Sequence, residues 1–137
     1  MAVAPINQVK KVVEYGVSEI PPEKIFMGIP NYGYDWRLPY VPKVSKATGI
    51  GNQLAVKIAA SNGSEIQYSE SAQSPFFNYV KDGVEHEVWF EDVRSIQAKY
   101  KLLDEFNLLG AGYWNVMRPF AQNWAFLSTQ YNIKKYV

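Results

Sequence analysis

The residues of this sequence best suited to contact a ligand are aromatic. The stretch GAGYW at 110–114 places Tyr113 and Trp114 at the end of a run of small residues. A second stretch, NYGYDWRLPY at 31–40, carries four more rings, Tyr32, Tyr34, Trp36 and Tyr40. Flat rings in loops can stack on the apolar C–H face of a sugar while their polar edges stay in water. Aromatic rings fill protein cores by default, so the pattern by itself leaves open whether these rings form a sugar-binding cleft or a core.

Polar residues beside these rings could complete such a cleft. Asp35 and Arg118 could hydrogen-bond the hydroxyl groups of a saccharide, although a local salt bridge is the simpler explanation for each. Neighbours on a strand face opposite sides, so we expect Tyr113 to pack behind its strand and Trp114 to face the other way. For Trp114 itself, a core indole with no ligand is the alternative.

The sequence offers few groups for acid–base or metal chemistry. Glu91 and Asp92 are adjacent carboxylates, but Asp92 is better explained as a helix N-cap and Glu91 as a complement to the helix dipole. His86 is the only histidine and stands between two glutamates, so we expect it to be solvated or to face a hairpin. The absence of cysteine excludes thiolate metal sites and cysteine nucleophiles. We therefore expect neither catalysis at these residues nor a metal site in this chain.

Composition and charge exclude several classes of partner. The 137 residues are 47% hydrophobic and 20% charged, which is typical of a globular domain. The 14 basic and 13 acidic residues are scattered, so no basic stripe indicates nucleic-acid binding. No apolar run approaches the roughly 20 residues that cross a bilayer, so we predict no membrane insertion. The chain is too short for a complete eight-stranded α/β barrel of about 250 residues.

Hydrophobic periodicity predicts two segments in which helices alternate with buried strands. The first has a helix over 5–20, a buried strand over 24–30 and an aromatic loop over 31–42. The second has a helix from Val93 to Asn107 and a buried strand over 108–116. A short helix over 121–129 follows. Two parallel strands do not make a stable sheet by themselves, so these strands need further neighbours.

A small α+β unit of about fifty residues is predicted between those segments. It begins with a helix over 51–61, which Asn62 and Gly63 end. Three short strands follow, at 65–68, 76–80 and 85–90. Asp82 and Gly83 indicate a hairpin between the last two strands.

Several motifs, in this order, resemble those of a known family. They are GIPNYGYDW at 28–36, WFED at 89–92, SIQAK at 95–99 and GAGYW at 110–114. Together they are similar to the C-terminal part of glycoside hydrolase family 18, the chitinase family. QSPFF at 73–77 and RPFAQNW at 118–124 resemble its spore-cortex-lytic N-acetylglucosaminidases from spore-forming bacteria. The resemblance extends from about residue 4 to residue 136.

The resemblance implies an α/β fold that is the C-terminal fragment of a TIM (β/α)8 barrel. Residues 25–30 would be the seventh strand and 110–116 the eighth, with their flanking helices and the small α+β insertion of the family. The implied divisions are a barrel segment over 1–40, the insertion over 41–88 and a second barrel segment over 89–137.

The resemblance also implies a function and a set of binding residues. The intact protein would be a glycosidase that cleaves N-acetylglucosamine-containing glycans, spore cortex peptidoglycan or a chitin-like polymer, by substrate-assisted retaining hydrolysis. This mechanism needs no cofactor. Trp114 would be the floor of the subsite that holds the cleaved sugar. The other candidate binding residues are Tyr32, Tyr34, Asp35, Trp36 and Arg118.

One departure from the family pattern limits what this chain can do alone. The catalytic signature D-x-x-D-x-D-x-E is absent from the sequence. We therefore expect a C-terminal piece of a larger enzyme, inactive alone, whose partners are the glycan and the N-terminal part of the same barrel. We also expect association with the spore or cell wall, and self-association through unpaired strands. The alternatives are a stand-alone module that binds N-acetylglucosamine glycans without cutting them, and a structural or partner-binding domain.

Overall fold

The computed structural model describes residues 1–134 and shows a mixed α/β fold with two separate sheets. The helices are α1 (Ile6–Glu19), α2 (Asn52–Asn62), α3 (Val93–Glu105) and α4 (Ala121–Gln130), with a 3-10 turn at Pro22–Lys24. The strands are β1 (Phe26–Pro30), β2 (Gly33–Arg37), β3 (Thr48–Ile50), β4 (Gln67–Ser69), β5 (Ser74–Lys81), β6 (Val84–Trp89) and β7 (Gly110–Trp114). Residues 135–137 of the last predicted segment lie outside this description.

The first sheet is a parallel pair of β1 and β7, with Pro30 opposite Trp114. One face of the pair is covered, because Met27 and Ile29 pack against residues of α1 and α3. The other face is open, since Phe26 is 64% exposed and Trp114 is 70% exposed. Two strands with one bare face indicate a sheet whose burial is incomplete.

The second sheet is antiparallel, with the strand order β3-β2-β6-β5-β4. Its core is built where Phe77 and Val88 meet Ala55 and Ala59 of α2. The predicted hairpin joins β5 to β6, and its turn residues Asp82 and Gly83 have φ values of 51° and 73°. Positive φ at both positions is what an Asp-Gly turn provides, so this prediction is confirmed.

The four predicted helices are confirmed, each within two residues of its predicted ends. Asp92 caps α3 as expected, since its carboxylate accepts from the backbone N–H groups of Arg94 (2.9 Å) and Ser95 (3.2 Å). The Ser95 hydroxyl in turn lies 2.9 Å from the Asp92 N–H, which completes a capping box.

The aromatic stretch predicted as a loop over 31–42 is partly wrong, because Gly33–Arg37 forms β2. The Gly and Pro residues around this stretch are typical of loops, and they obscured the alternation of side chains within it. The three-residue strand β3 was also not predicted. By its hydrogen bonds β2 belongs to the second sheet, although the predicted division placed it in the segment 1–40.

Candidate functional site

A shallow pocket of about 260 Å³ lies where β1 and β7 end. Tyr32 and Trp114 line it together, because Trp114 is the last residue of β7 and Tyr32 follows the end of β1. The rest of the lining is small or apolar: Val3, Ala4, Gly28, Ile29 and Pro30. None of the described residues that line the pocket carries a carboxylate. The pocket can therefore offer a flat apolar surface to a ligand but no acid.

Tyr113 faces away from this pocket, as predicted. Its hydroxyl donates to Asn123 Oδ1 (3.1 Å) and hydrogen-bonds the Tyr100 hydroxyl (3.2 Å), while its ring contacts that of Trp124. Burial raises the pKa of the Tyr113 hydroxyl above its ordinary value. These contacts tie β7 to α3 and α4, and they leave Trp114 as the ring that points out of the sheet.

Asn31 joins the end of β1 to the turn that follows β7. Its backbone N–H donates to the carbonyl of Trp114 (2.7 Å). Its side-chain Nδ2 donates to the carbonyl of Asn115 (3.3 Å) and to that of Arg118. Asn31 is only 1% exposed, and the Trp114–Asn115 peptide bond is cis. Sequence reasoning missed Asn31, because a single Asn after a buried strand carries no distinctive signal.

Four rings form an aromatic strip along β2 and the segments on either side of it: Tyr32, Tyr34, Trp36 and Tyr40. Successive rings meet edge to face with centroids 5.7, 5.8 and 5.5 Å apart. Trp36 uses its polar edge within the chain, since its Nε1–H donates to the Met1 carbonyl (3.0 Å). Of the four rings, only Tyr32 lines the pocket with Trp114.

Asp35 lies on the opposite face of β2 from Tyr34 and Trp36. Its carboxylate accepts from the Tyr79 hydroxyl (2.7 Å) and contacts His86 Nδ1 at 2.8 Å. The side chains of Asp35 and His86 are each 12% exposed. Burial, followed by the bond to Asp35, raises the pKa of Tyr79.

This contact bears on the expectations for Asp35 and His86. Asp35 is engaged within the sheet, so its expected role at saccharide hydroxyls does not fit its position, whereas the alternative of a local pair does. His86 faces the hairpin, which is one of its two expected placements, because it lies opposite Tyr79 on β5 with the two ring centroids 4.8 Å apart. The physical reason is strand alternation, which sends every second side chain of β2 and β6 to the face covered by α2.

Arg118 reaches from the turn after β7 to the second sheet. Its Nη2 donates to the Gly49 carbonyl (3.3 Å), and its guanidinium carbon lies 5.9 Å from the centre of the Tyr32 ring. The Arg118 side chain passes beside Gly49 and Gly51, where an added Cβ on Gly49 would lie in ordinary van der Waals contact, 3.7 Å from Nη2. Arg118 is thus not among the residues that line the pocket, although it contacts one that is.

Glu91 also differs from its expected role. It does not lie in solvent at the start of α3 but forms an ion pair with Lys99 at 2.8 Å, and both side chains are 1% exposed. The Glu91 backbone N–H donates to Asn52 Oδ1 (3.0 Å). Burial raises the pKa of the Glu91 carboxyl, while the Lys99 ammonium opposes that shift. This pair links α3 to the second sheet and lies outside the pocket lining.

Within residues 1–134, no group of three or more His, Asp or Glu side chains could hold a metal ion. None of the helices in that range has the length and apolarity needed to cross a membrane.

Comparisons with known proteins agree with the motif resemblance. A family profile described as "Glycosyl hydrolases family 18" matches residues 3–118. The cortical fragment-lytic enzyme of Bacillus subtilis is 49% identical over 135 residues, which are 98% of this chain and 31% of that protein. The chain thus spans about a third of the length of the curated relatives it matches.

Two solved structures match the fold over the whole chain. The spore cortex-lytic enzyme SleL of Bacillus megaterium has a TM-score of 0.92 at 49% identity, with 100% of this chain and 32% of that chain covered. SleL of Bacillus cereus has a TM-score of 0.92 at 43% identity and is matched over 33% of its chain.

Proposed function

The chain belongs to glycosyl hydrolase family 18, and from this premise we propose that it forms one wall of the glycan cleft of a larger glycosidase. The single observation that carries the proposal is the exposed indole of Trp114, which lines a pocket with Tyr32. An indole that is 70% exposed at a strand end gains little from packing within the protein. It offers a flat apolar surface on which a sugar ring can stack.

The two parallel strands support the larger part of this proposal. We propose that β1 and β7 are neighbouring strands of a TIM barrel, flanked by α1, α3 and α4, with the second sheet as an insertion between them. In such barrels, ligands bind at the carboxyl ends of the strands, which is where Trp114 and Tyr32 lie. The acid that protonates the leaving group would come from another part of the barrel.

The proposed substrate follows from the relatives. Those named above are a cortical fragment-lytic enzyme and two spore cortex-lytic enzymes. We therefore propose that the glycan is spore cortex peptidoglycan, cleaved after N-acetylglucosamine by the substrate-assisted retaining route, and that the intact protein acts at the spore. Chitin-like polymers are the second class of glycan to test.

A chimera tests this proposal directly. The matching third of the Bacillus subtilis cortical fragment-lytic enzyme is replaced by this chain, and the lysis of cortical fragments is measured. We expect the chimera to retain lysis and Trp114→Ala to lower kcat/KM on the order of 10- to 100-fold. Tyr15, which is 71% exposed on α1, provides the control, and Tyr15→Ala should leave the rate unchanged. Equal rates for both variants would contradict the proposal.

A binding role for the chain alone is the second candidate. The observation in its favour is that Tyr32 and Trp114 meet within this one chain, so half of a sugar site exists without the rest of a barrel. Calorimetric titration with N-acetylglucosamine oligomers would show saturable binding that Trp114→Ala abolishes. If no binding is detected, the chain functions only as part of the larger cleft.

A further inference from the structure

The pocket lies at the junction between the two sheets. Asn31 stands in the two-residue connection between β1 of the first sheet and β2 of the second. The turn after Trp114 lies beside it, since Asn31 hydrogen-bonds three residues of the segment 114–118. The relative position of Tyr32 and Trp114 is therefore set by how this connection and this turn are joined.

The ring of Trp114 has little packing to hold it. It is 70% exposed, and the next residues, Val116 and Met117, are 82% and 83% exposed. A buried ring is fixed by its neighbours, but an exposed ring can only be as well placed as the backbone that carries it. The contacts of that backbone thus decide whether the indole is preorganised for a ligand.

Asn31 adds contacts to the strand pairing in which Trp114 lies opposite Pro30. Its backbone N–H binds the Trp114 carbonyl, and its two side-chain donors bind the carbonyls of Asn115 and Arg118. Within the turn, the Asn115 side chain accepts from the Met117 N–H (3.0 Å). Because Asn31 is 1% exposed, its bonds are shielded from competing water.

We propose that Asn31 is a positioning residue that fixes the indole of Trp114 beside Tyr32 through its side-chain bonds to the turn. Arg118 connects this turn to the second sheet, because its carbonyl accepts from Asn31 and its guanidinium donates to the Gly49 carbonyl. The expected effect of this contact on activity rests on the function proposed above, whereas its effect on the position of the ring does not.

The position of the ring is tested first, on the 137-residue chain without any ligand. The four tryptophans are labelled with 5-fluorotryptophan, and their fluorine resonances are assigned by single Trp→Phe substitutions. Asn31→Ala removes both side-chain donors but keeps the backbone bond. We expect it to shift or broaden the Trp114 resonance by more than its line width and to leave those of Trp36 and Trp89 in place.

Asn52→Ala provides the matched control. Asn52, on α2, is also a buried Asn that is 1% exposed, and it does not line the pocket. Its Oδ1 accepts from the backbone N–H of Glu91. It should lower stability without moving the Trp114 resonance. If Asn31→Ala does not fold, Asn31→Ser keeps a small polar group at this position and should give a smaller shift in the same resonance. An unchanged Trp114 resonance in a folded Asn31 variant would overturn the proposal.

Activity is measured second, in the chimera with the Bacillus subtilis enzyme. A ring displaced by about 1 Å can cost up to about 100-fold in rate, so Asn31→Ala should lower kcat/KM by roughly 10-fold or more. Asn52→Ala should lower it less than about threefold at a temperature where both variants are folded. If Trp114→Ala abolishes lysis while Asn31→Ala neither lowers the rate nor shifts the Trp114 resonance, only the positioning proposal fails. If Asn31→Ala moves the resonance but Trp114→Ala leaves lysis unchanged, the proposed function fails instead.

Discussion

At the scale of single residues, burial separates groups that look alike in the sequence. Glu91 and Asp92 are adjacent carboxylates, yet Asp92 caps α3 near the surface while Glu91 is 1% exposed and paired with Lys99. A buried charge is tolerated only when a partner and hydrogen bonds replace its water. The two neighbours therefore have different roles, and the difference predicts a measurable effect of removing Lys99.

Lys99→Met should destabilise the chain by about 3–5 kcal/mol at about pH 7.5, because it leaves the buried Glu91 without its counter-charge. At about pH 4, Glu91 is largely protonated in both the folded and the unfolded variant, so the loss is smallest there. As pH rises, the unfolded chain ionises Glu91 freely, whereas burial holds it protonated in the folded variant. The stability deficit should thus grow with pH.

Urea unfolding of wild type and variant at both pH values measures this deficit. Lys10→Met is the control, because Lys10 also pairs with a glutamate, Glu105, at 2.9 Å but at the surface. It should cause little change at either pH. A Lys99→Met deficit that shrinks as pH rises would contradict the buried-pair argument.

At the scale of elements, β2 shows how a strand sorts side chains that are consecutive in sequence. Tyr34 and Trp36 face the aromatic strip, while Asp35 turns to the face covered by α2 and meets Tyr79 and His86. These three residues come from three adjacent strands, β2, β5 and β6. Their contacts therefore join the strand that carries the strip to the centre of the second sheet.

Tyr79→Phe should lower the free energy of unfolding by roughly 1–3 kcal/mol, because it removes a 2.7 Å bond to the Asp35 carboxylate. The ring itself is kept, so its packing against Phe77 and His86 remains. Tyr15→Phe is the matched control on the exposed face of α1 and should change stability by less than about 0.5 kcal/mol. Chemical denaturation curves of both variants decide the matter, and equal stabilities would show that the Asp35 contact contributes nothing.

At the scale of the whole molecule, the chain has two units with separate cores. The first core lies between the parallel pair, α1 and α3, and the second between the antiparallel sheet and α2. Within residues 1–134, β1 and β7 pair only with each other. Unpaired strand edges beside a bare apolar face favour association with another chain.

We therefore expect this chain to self-associate in a concentration-dependent way, as measured by sedimentation velocity. Phe26→Asp should weaken the association, because it puts a charge on the open face of β1, where Phe26 is 64% exposed. Leu54→Asp is the control, since Leu54 is 49% exposed on α2 in the other unit. A monodisperse wild-type monomer at all concentrations would refute the expectation.

Elements whose signals are local could be predicted from the sequence. Helices α1 to α4 follow from the spacing of apolar residues and from caps such as Asp92, and the β5–β6 hairpin follows from Asp82 and Gly83. The opposite directions of Tyr113 and Trp114 follow from the period of a strand. The family resemblance follows from the order of motifs along the sequence, which does not depend on the structure.

Which side chains contact one another could not be predicted, because it depends on tertiary packing. Asp35 contacts His86, and Asn31 contacts the turn after Trp114, although the partners lie far apart in the chain. Glu91 and Lys99 are closer in sequence, but their pairing was not predicted either. The burial of Glu91 likewise depends on what packs over the start of α3. Local patterns fix periodicity and chain direction, but a pocket is made by distant segments whose packing no single segment encodes.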